Sequence, residues 1–151
     1  MYELEGLRRM IGWNRPIGVL GLRLVIGFLS FQIAVHKIFM NGLASEMRWF
    51  HDLAAFFPDW VLWGTNIYCA AVELVGGAML ILGIGRDWAL YAILSVLVIV
   101  TFGHGMEHEV WDIQQMMFRL SMIVTLLLLP AEWDVLRLET LLRSRKASAA
   151  T

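Results

Sequence analysis

A chain of 151 residues that is 59% hydrophobic and 17% charged, with mean hydropathy +0.66, has too little polar surface to cover a soluble domain of its size. Its net charge of −1 and the lack of a basic soluble region exclude a nucleic-acid binder. A single cysteine, Cys69, excludes an intramolecular disulfide and any cysteine-built metal motif.

Several apolar runs reach the roughly 20 residues that cross a hydrocarbon core, which points to an integral membrane protein. Met1 to Arg15 carries three arginines and two glutamates. The run after it is too long for an h-region and lacks a small-residue cleavage site, so no cleavable signal is expected. The first span is predicted over Ile17–Met40, with Pro16 suited to its first turn. In the segment after it, Leu43, Met47, Phe50, Ala54 and Phe57 alternate at spacings of four and three, with Glu46 and Asp52 off that stripe. This pattern predicts a short amphipathic helix over 43–57 lying in the membrane interface.

The second span is predicted over Trp60–Gly83, and Gly83 and Gly85 permit a tight reversal. The third covers Trp88–Met106 and the fourth Asp112–Pro130, where the proline stops the helix. Both intervening connections are short, so consecutive spans are expected to be antiparallel neighbours. The expected fold is an all-α membrane protein, an antiparallel four-helix transmembrane bundle. It occupies a single domain over residues 1–143, followed by a disordered polar tail over 144–151. Arg8, Arg9, Arg15, Arg86, Arg137, Arg143, Arg145 and Lys146 fall on one side of this arrangement, against Arg48 and Lys37 on the other. The positive-inside rule then puts both termini in the cytoplasm and the amphipathic helix in the first periplasmic loop. Tryptophans mark both interfaces, with Trp13, Trp88 and Trp133 on one and Trp49, Trp60, Trp63 and Trp111 on the other.

The ionisable residues inside the spans carry the functional information, because each is costly in lipid. Arg23, Gly27, Ser30, Ala34 and Lys37 share one face of the first span, and Asn66, Cys69, Glu73, Gly76, Leu80 and Gly83 one face of the second. Asp112, Gln115, Arg119 and Met122 share a face of the fourth. Small and polar stripes of this kind are where membrane helices meet. At a rise of about 1.5 Å per residue, Glu73 lies near mid-membrane, within reach of Arg23 from one side or Arg119 from the other. Lys37, His36, His104 and His108 gather toward the outer edge. The expected result is a polar funnel open to the periplasmic side and closing on Glu73. The plainer readings are that Arg23 and Glu73 form a fold-specifying pair, that Lys37 snorkels to the headgroups, and that Gly76, Gly77 and Cys69 only pack.

The segments LRLVIGFLSFQIAVHKIF (22–39) and ELVGGAMLILGIGR (73–86), with a third span closing on His104, resemble the DoxX-like family. The resemblance runs from Leu20 to about His104. It implies a small four-helix protein of the bacterial inner membrane, in which Arg23, Lys37, Glu73 and His104 are the marked positions. The family's usual glycine before the lysine is His36 in this chain. Members are associated with thiosulfate:quinone oxidoreductases, methylamine-oxidation systems and oxidant-defence membrane complexes. The resemblance therefore implies an accessory or membrane subunit of a quinone-linked oxidoreductase or redox-defence system, not an enzyme on its own.

Four readings of the site follow. A quinone head group needs donors at its carbonyl oxygens and a proton path, which Lys37, His104 and Arg119, with His36 and Arg23 nearby, and the carboxylates Glu73 or Glu107 supply. The HGMEH stretch matches H-x-x-E-H, so His104 and His108 with Glu107 are candidate metal residues, and Glu109, Asp112 or His36 a further ligand. Gly103 and Gly105 weaken the helical turn that such a site requires. A b-type haem between His36 and His104 is the third reading, covalent haem being excluded by the absence of Cys-x-x-Cys-His. The fourth is a structural or assembly subunit, a homo-oligomer or part of a larger membrane complex, with no chemistry of its own. A secondary transporter needs broken or repeated helices that this chain lacks.

Overall fold

The computed structural model describes residues 2–53, 57–107, 114–140 and 142, with side chains apart from those of 2–11, 49–53, 104 and 107. Among the described residues it is helical throughout, without strands. Helix α1 runs from Tyr2 to Val35 and continues into a wider, π-helical segment, His36–Asn41. Helices α2 (Leu43–Leu53), α3 (Asp59–Leu82), α4 (Arg86–Glu107) and α5 (Gln114–Leu128) follow. A 3₁₀ turn, Ala131–Trp133, follows α5. Among the described residues, three stretches are long and apolar enough to cross a membrane: Gly12–Asn41, Asp59–Leu82 and Arg86–Gly103, while α5 is apolar and described over 15 residues.

One boundary differs from the expectation. Pro16 does not open the first helix but lies inside it, since a proline removes one backbone donor without compelling the chain to stop. The amphipathic pattern over 43–57 is helical over Leu43–Leu53, and residues 54–56 are outside the described residues. The polar tail over 144–151 and the start of the fourth predicted span, including Asp112, also lie outside them.

The turn from α3 to α4 shows why Gly83 and Gly85 stand where they do. Gly83 adopts φ +70° and Gly85 φ +54°, which side chains rarely tolerate. The Gly83 amide donates to Leu80 O at 3.2 Å and that of Ile84 to Met79 O at 3.0 Å, a Schellman ending that satisfies two free helix carbonyls.

Helix α3 packs on both α1 and α4, and its paired glycines divide that work. A Cβ at Gly77 would lie 2.7 Å from Phe31 N and 2.8 Å from Gly27 O, so α1 and α3 touch backbone to backbone. A Cβ at Gly76 would instead meet Ile93 of α4 at 3.1 Å. On the outer surface, the Tyr68 hydroxyl and Ser95 Oγ, 2.7 Å apart, add a polar link between α3 and α4. The core is concentrated in one half of the molecule, where Val19 and Ile26 of α1, Leu80 of α3, Leu90 and Ile93 of α4, and Ile123 and Leu126 of α5 form one buried cluster.

That half is capped by a cluster of buried charges. Arg23 and Asp134 are each about 1% exposed and Arg86 is 3% exposed. Arg23 Nε lies 3.4 Å from Asp134 Oδ1, and Arg86 Nη1 3.8 Å from Oδ2. Both guanidiniums also donate to main-chain carbonyls, at the ends of α3 and α5 and at Leu136. Arg23 reaches Leu80 O at 3.0 Å and Leu136 O at 2.8 Å. Arg86 reaches Leu126 O and, at 3.1 Å, Leu129 O. In a buried site, the last carbonyls of α3 and α5 need donors, and a cation also complements the helix dipole there. A side chain at Gly83 would collide with the Arg23 guanidinium, so this glycine also clears the arginine's path. Arg137 Nε donates to Asp134 O at 2.9 Å, and Arg15 stacks over the Trp133 ring at 4.7 Å.

Candidate functional site

The opposite half is not filled. A cavity of about 880 Å³ lies among α1, α2, α3, α4 and α5. Its walls are mostly apolar, including Leu29, Ile33, Ile99, Phe102, Phe118 and Met122, and Lys37, Glu73 and Arg119 share it. The volume falls in the range of roughly 300–1,000 Å³ typical of pockets for small organic ligands.

Each polar member is placed by a helix face already visible as a stripe. Gly27, Ser30 and Ala34 are buried along the α1 stripe that ends in Lys37. Asn66, Cys69, Glu73, Gly76 and Leu80 are all buried on α3. Asn66 Nδ2 donates to Leu43 O at 3.0 Å, which ties the middle of α3 to the start of α2. Gly42, at φ +76°, turns the chain out of the π-helical segment into α2. Lys37 therefore stands at the end of α1 where a π-helical turn, a feature frequent at functional sites, precedes a sharp change of direction.

Glu73 sits between two cations. Lys37 Nζ donates to its Oε2 at 2.9 Å, and Arg119 Nη1 lies 3.7 Å from its Oε1. The Glu73 side chain is 2% exposed, against 17% for Lys37 and 10% for Arg119. The first contact is a short charge-assisted hydrogen bond; the second is an ion pair beyond hydrogen-bond distance. The nearest hydrogen bond of Arg119 goes instead to a thioether, from Nη2 to Met116 Sδ at 3.1 Å. Sulfur is a weak acceptor for a guanidinium, so among the described residues this cation is held in the cavity wall with its donors poorly satisfied. Glu46 lines the cavity from α2 and accepts a hydrogen bond from Asn41 Nδ2 at 3.1 Å.

Arg23 is the residue whose expected partner changes. It lies at the other end with Asp134, not beside Glu73. The carboxylate that fixes it comes after Pro130, in a stretch with no helical periodicity, and sequence spacing gave no reason to bring that stretch back to α1. Arg86 and Asp134 were missed for the same reason. His36 is exposed and borders a shallower groove beside Lys37. His104 lies in the last turns of α4, with Gly103 on the cavity wall, but its side chain and that of Glu107 are not described. His108, Glu109 and Asp112 are outside the described residues. Among the described residues, no three histidines, cysteines or carboxylates come together to hold a metal ion.

The family model DoxX matches residues 18–105, more than half of the chain. No curated protein and no solved structure matches it with significance. The matched region contains Arg23, Lys37, Glu73 and His104, whereas Arg119 and Asp134 lie beyond it.

Proposed function

The chain belongs to the DoxX family, and from that premise we propose that it is a membrane subunit or accessory of a quinone-linked oxidoreductase or redox-defence system. In this reading residues 1–143 form one antiparallel four-span domain of the bacterial inner membrane. Both termini are cytoplasmic, α2 lies in the outer interface, and the cavity faces the periplasm. The excess of Lys and Arg at the Arg86 end supports that orientation.

The observation that carries the proposal is the convergence of Lys37, Glu73 and Arg119 from three helices on one apolar cavity. Ionisable groups that served only to fold the protein would have no need of an adjoining cavity of ligand size. The residues suit a quinone head group. Lys37 keeps donors beyond the one given to Glu73, and Arg119 has donors that a thioether satisfies weakly, so both can hydrogen-bond carbonyl oxygens. A bound quinone supplies reversible uptake of electrons and protons at those oxygens. In this reading Glu73, hydrogen-bonded to Lys37, serves as the proton relay. The apolar walls keep bulk water from the head group, and the electron donor belongs to a partner subunit.

The test is titration of the purified protein, in phosphatidylcholine nanodiscs, with decylubiquinone, read by quenching of tryptophan fluorescence. Saturable quenching is expected, with affinity lowered about 10-fold or more in Arg119→Gln, the scale of one hydrogen bond to a charged group. Linear, non-saturating quenching that is identical in wild type and variant contradicts the proposal.

A second reading, a structural or assembly subunit, is favoured by the close pairing of Glu73 with Lys37. The two readings separate on Glu73→Gln: the assembly reading predicts loss of the native complex, and the redox reading predicts an assembled complex with reduced turnover.

A further inference from the structure

Among the described residues, the cavity holds more positive charge than its interior neutralises. Lys37 and Arg119 are both present, and Glu73 supplies one carboxylate between them. The other described acid on the wall, Glu46, is tied to Asn41 in an exposed hydrogen bond at the α2 rim, where water screens it. Lys37 takes Glu73 at 2.9 Å, which leaves Arg119, about 90% buried as a side chain, with a 3.7 Å contact and a thioether. A buried cation without a close counter-charge is costly, and an anion placed beside it removes that cost. The rest of the cavity is mostly apolar and incompletely walled. Leu29 of α1 and Phe118 of α5 line it and are themselves 37% and 68% exposed, on surfaces that face lipid in a membrane. In the other half the α1 and α5 side chains Val19, Ile26, Ile123 and Leu126 close on one another instead.

We infer that the cavity binds a single-chain amphiphile with an anionic head, of which a long-chain carboxylate is the simplest member. It enters from the bilayer past Leu29 and Phe118 and lodges its head on Arg119. Arg119 is the residue that recognises the charge, and Lys37 positions Glu73 so that the carboxylate does not close on Arg119. The inference rests on the cavity being a ligand site but not on that ligand being a quinone. Decylubiquinone can fail to bind while a carboxylate binds, and the reverse.

The experiment uses the full chain in phosphatidylcholine nanodiscs with 5-doxylstearate at a pH where it is ionised, and its methyl ester as the neutral control, both read by electron paramagnetic resonance. The expected result is an immobilised component whose association is roughly 10-fold stronger for the carboxylate than for the ester, the scale of a hydrogen bond to a charged partner. Arg119→Gln abolishes that preference and Arg119→Lys retains most of it. Unlabelled stearate displaces the probe, and phosphatidylglycerol, an anionic two-chain lipid, does not. Equal immobilisation of acid and ester, or a preference unchanged by Arg119→Gln, overturns the inference. Displacement by phosphatidylglycerol as effective as that by stearate also overturns it, by assigning the site to bulk anionic lipid. If Arg119→Gln does not fold, the acid-to-ester ratio and the competition on the wild type decide alone.

Discussion

Asp134→Asn removes the only carboxylate within ion-pair distance of the buried Arg23 among the described residues, and one of two near Arg86, while leaving the shape of the side chain intact. The other, Asp87, is half exposed and 3.2 Å from Arg86 Nε, so it softens the loss at Arg86 and does nothing for Arg23. Two unit charges about 4 Å apart attract by about 4 kcal/mol at an effective dielectric of about 20. The contacts at 3.4 and 3.8 Å are therefore each of that gross size before desolvation and the repulsion between the two arginines are set against them. Breaking a buried pair by removing one partner typically costs about 3–5 kcal/mol, because the remaining charge is stranded. That loss is the expected outcome for Asp134→Asn, measured by equilibrium unfolding in mixed micelles with increasing sodium dodecyl sulfate. Tryptophan fluorescence is a suitable signal because Trp133 precedes Asp134. Combined with Arg23→Met, the substitutions should be non-additive, with a coupling of about 0.5–3 kcal/mol, since residues in one charge network share their energies. An unfolding midpoint equal to that of the wild type, or strict additivity, would refute the argument that Asp134 fastens the C-terminal segment to the bundle.

The glycine pair gives a graded expectation. Gly77→Ala must push apart two backbones and should cost about 1–3 kcal/mol, the usual scale of overpacking. Gly76→Ala meets only the movable Ile93 side chain and should cost clearly less; the same unfolding assay ranks the two. Glu73→Gln takes the buried carboxylate from both Lys37 and Arg119 and should destabilise more than Lys37→Met, which leaves Glu73 its contact with Arg119. A Glu73→Gln variant at least as stable as Lys37→Met would contradict the pairing. Tyr68→Phe deletes the link to Ser95 between α3 and α4 and should lower stability by about 0.6 kcal/mol, the average for a hydrogen bond between membrane helices.

Much of the fold was legible because lipid permits few solutions. Apolar runs of sufficient length become helices, and the stripes on α1 and α3 turned inward since Arg23, Ser30, Asn66 and Glu73 cannot face hydrocarbon. The Gly83 and Gly85 reversal was legible because few residues other than glycine take a positive φ. Pairing was harder. A helical stripe says which side of a helix is buried but not which neighbour answers it. Arg23 has reach in both directions along its helix, and its partner Asp134 sits in an aperiodic stretch after Pro130. The Glu73–Arg119 contact was one of two alternatives left open by depth alone, and Lys37 entered as a donor near the outer edge, not as the closest partner of Glu73. The cavity was expected only as a polar funnel closing on Glu73; its size and mostly apolar walls were not legible, because empty volume depends on how far helices diverge and no residue type encodes that.

The most direct measurement is a density map of the protein reconstituted in native lipid, resolved well enough to place the side chains around the cavity. The account predicts Glu73 between Lys37 and Arg119, and an elongated density with its head on Arg119 and its chain leaving past Leu29 and Phe118. A cavity collapsed onto its own side chains, with Glu73 and Arg119 turned apart toward lipid, would contradict it.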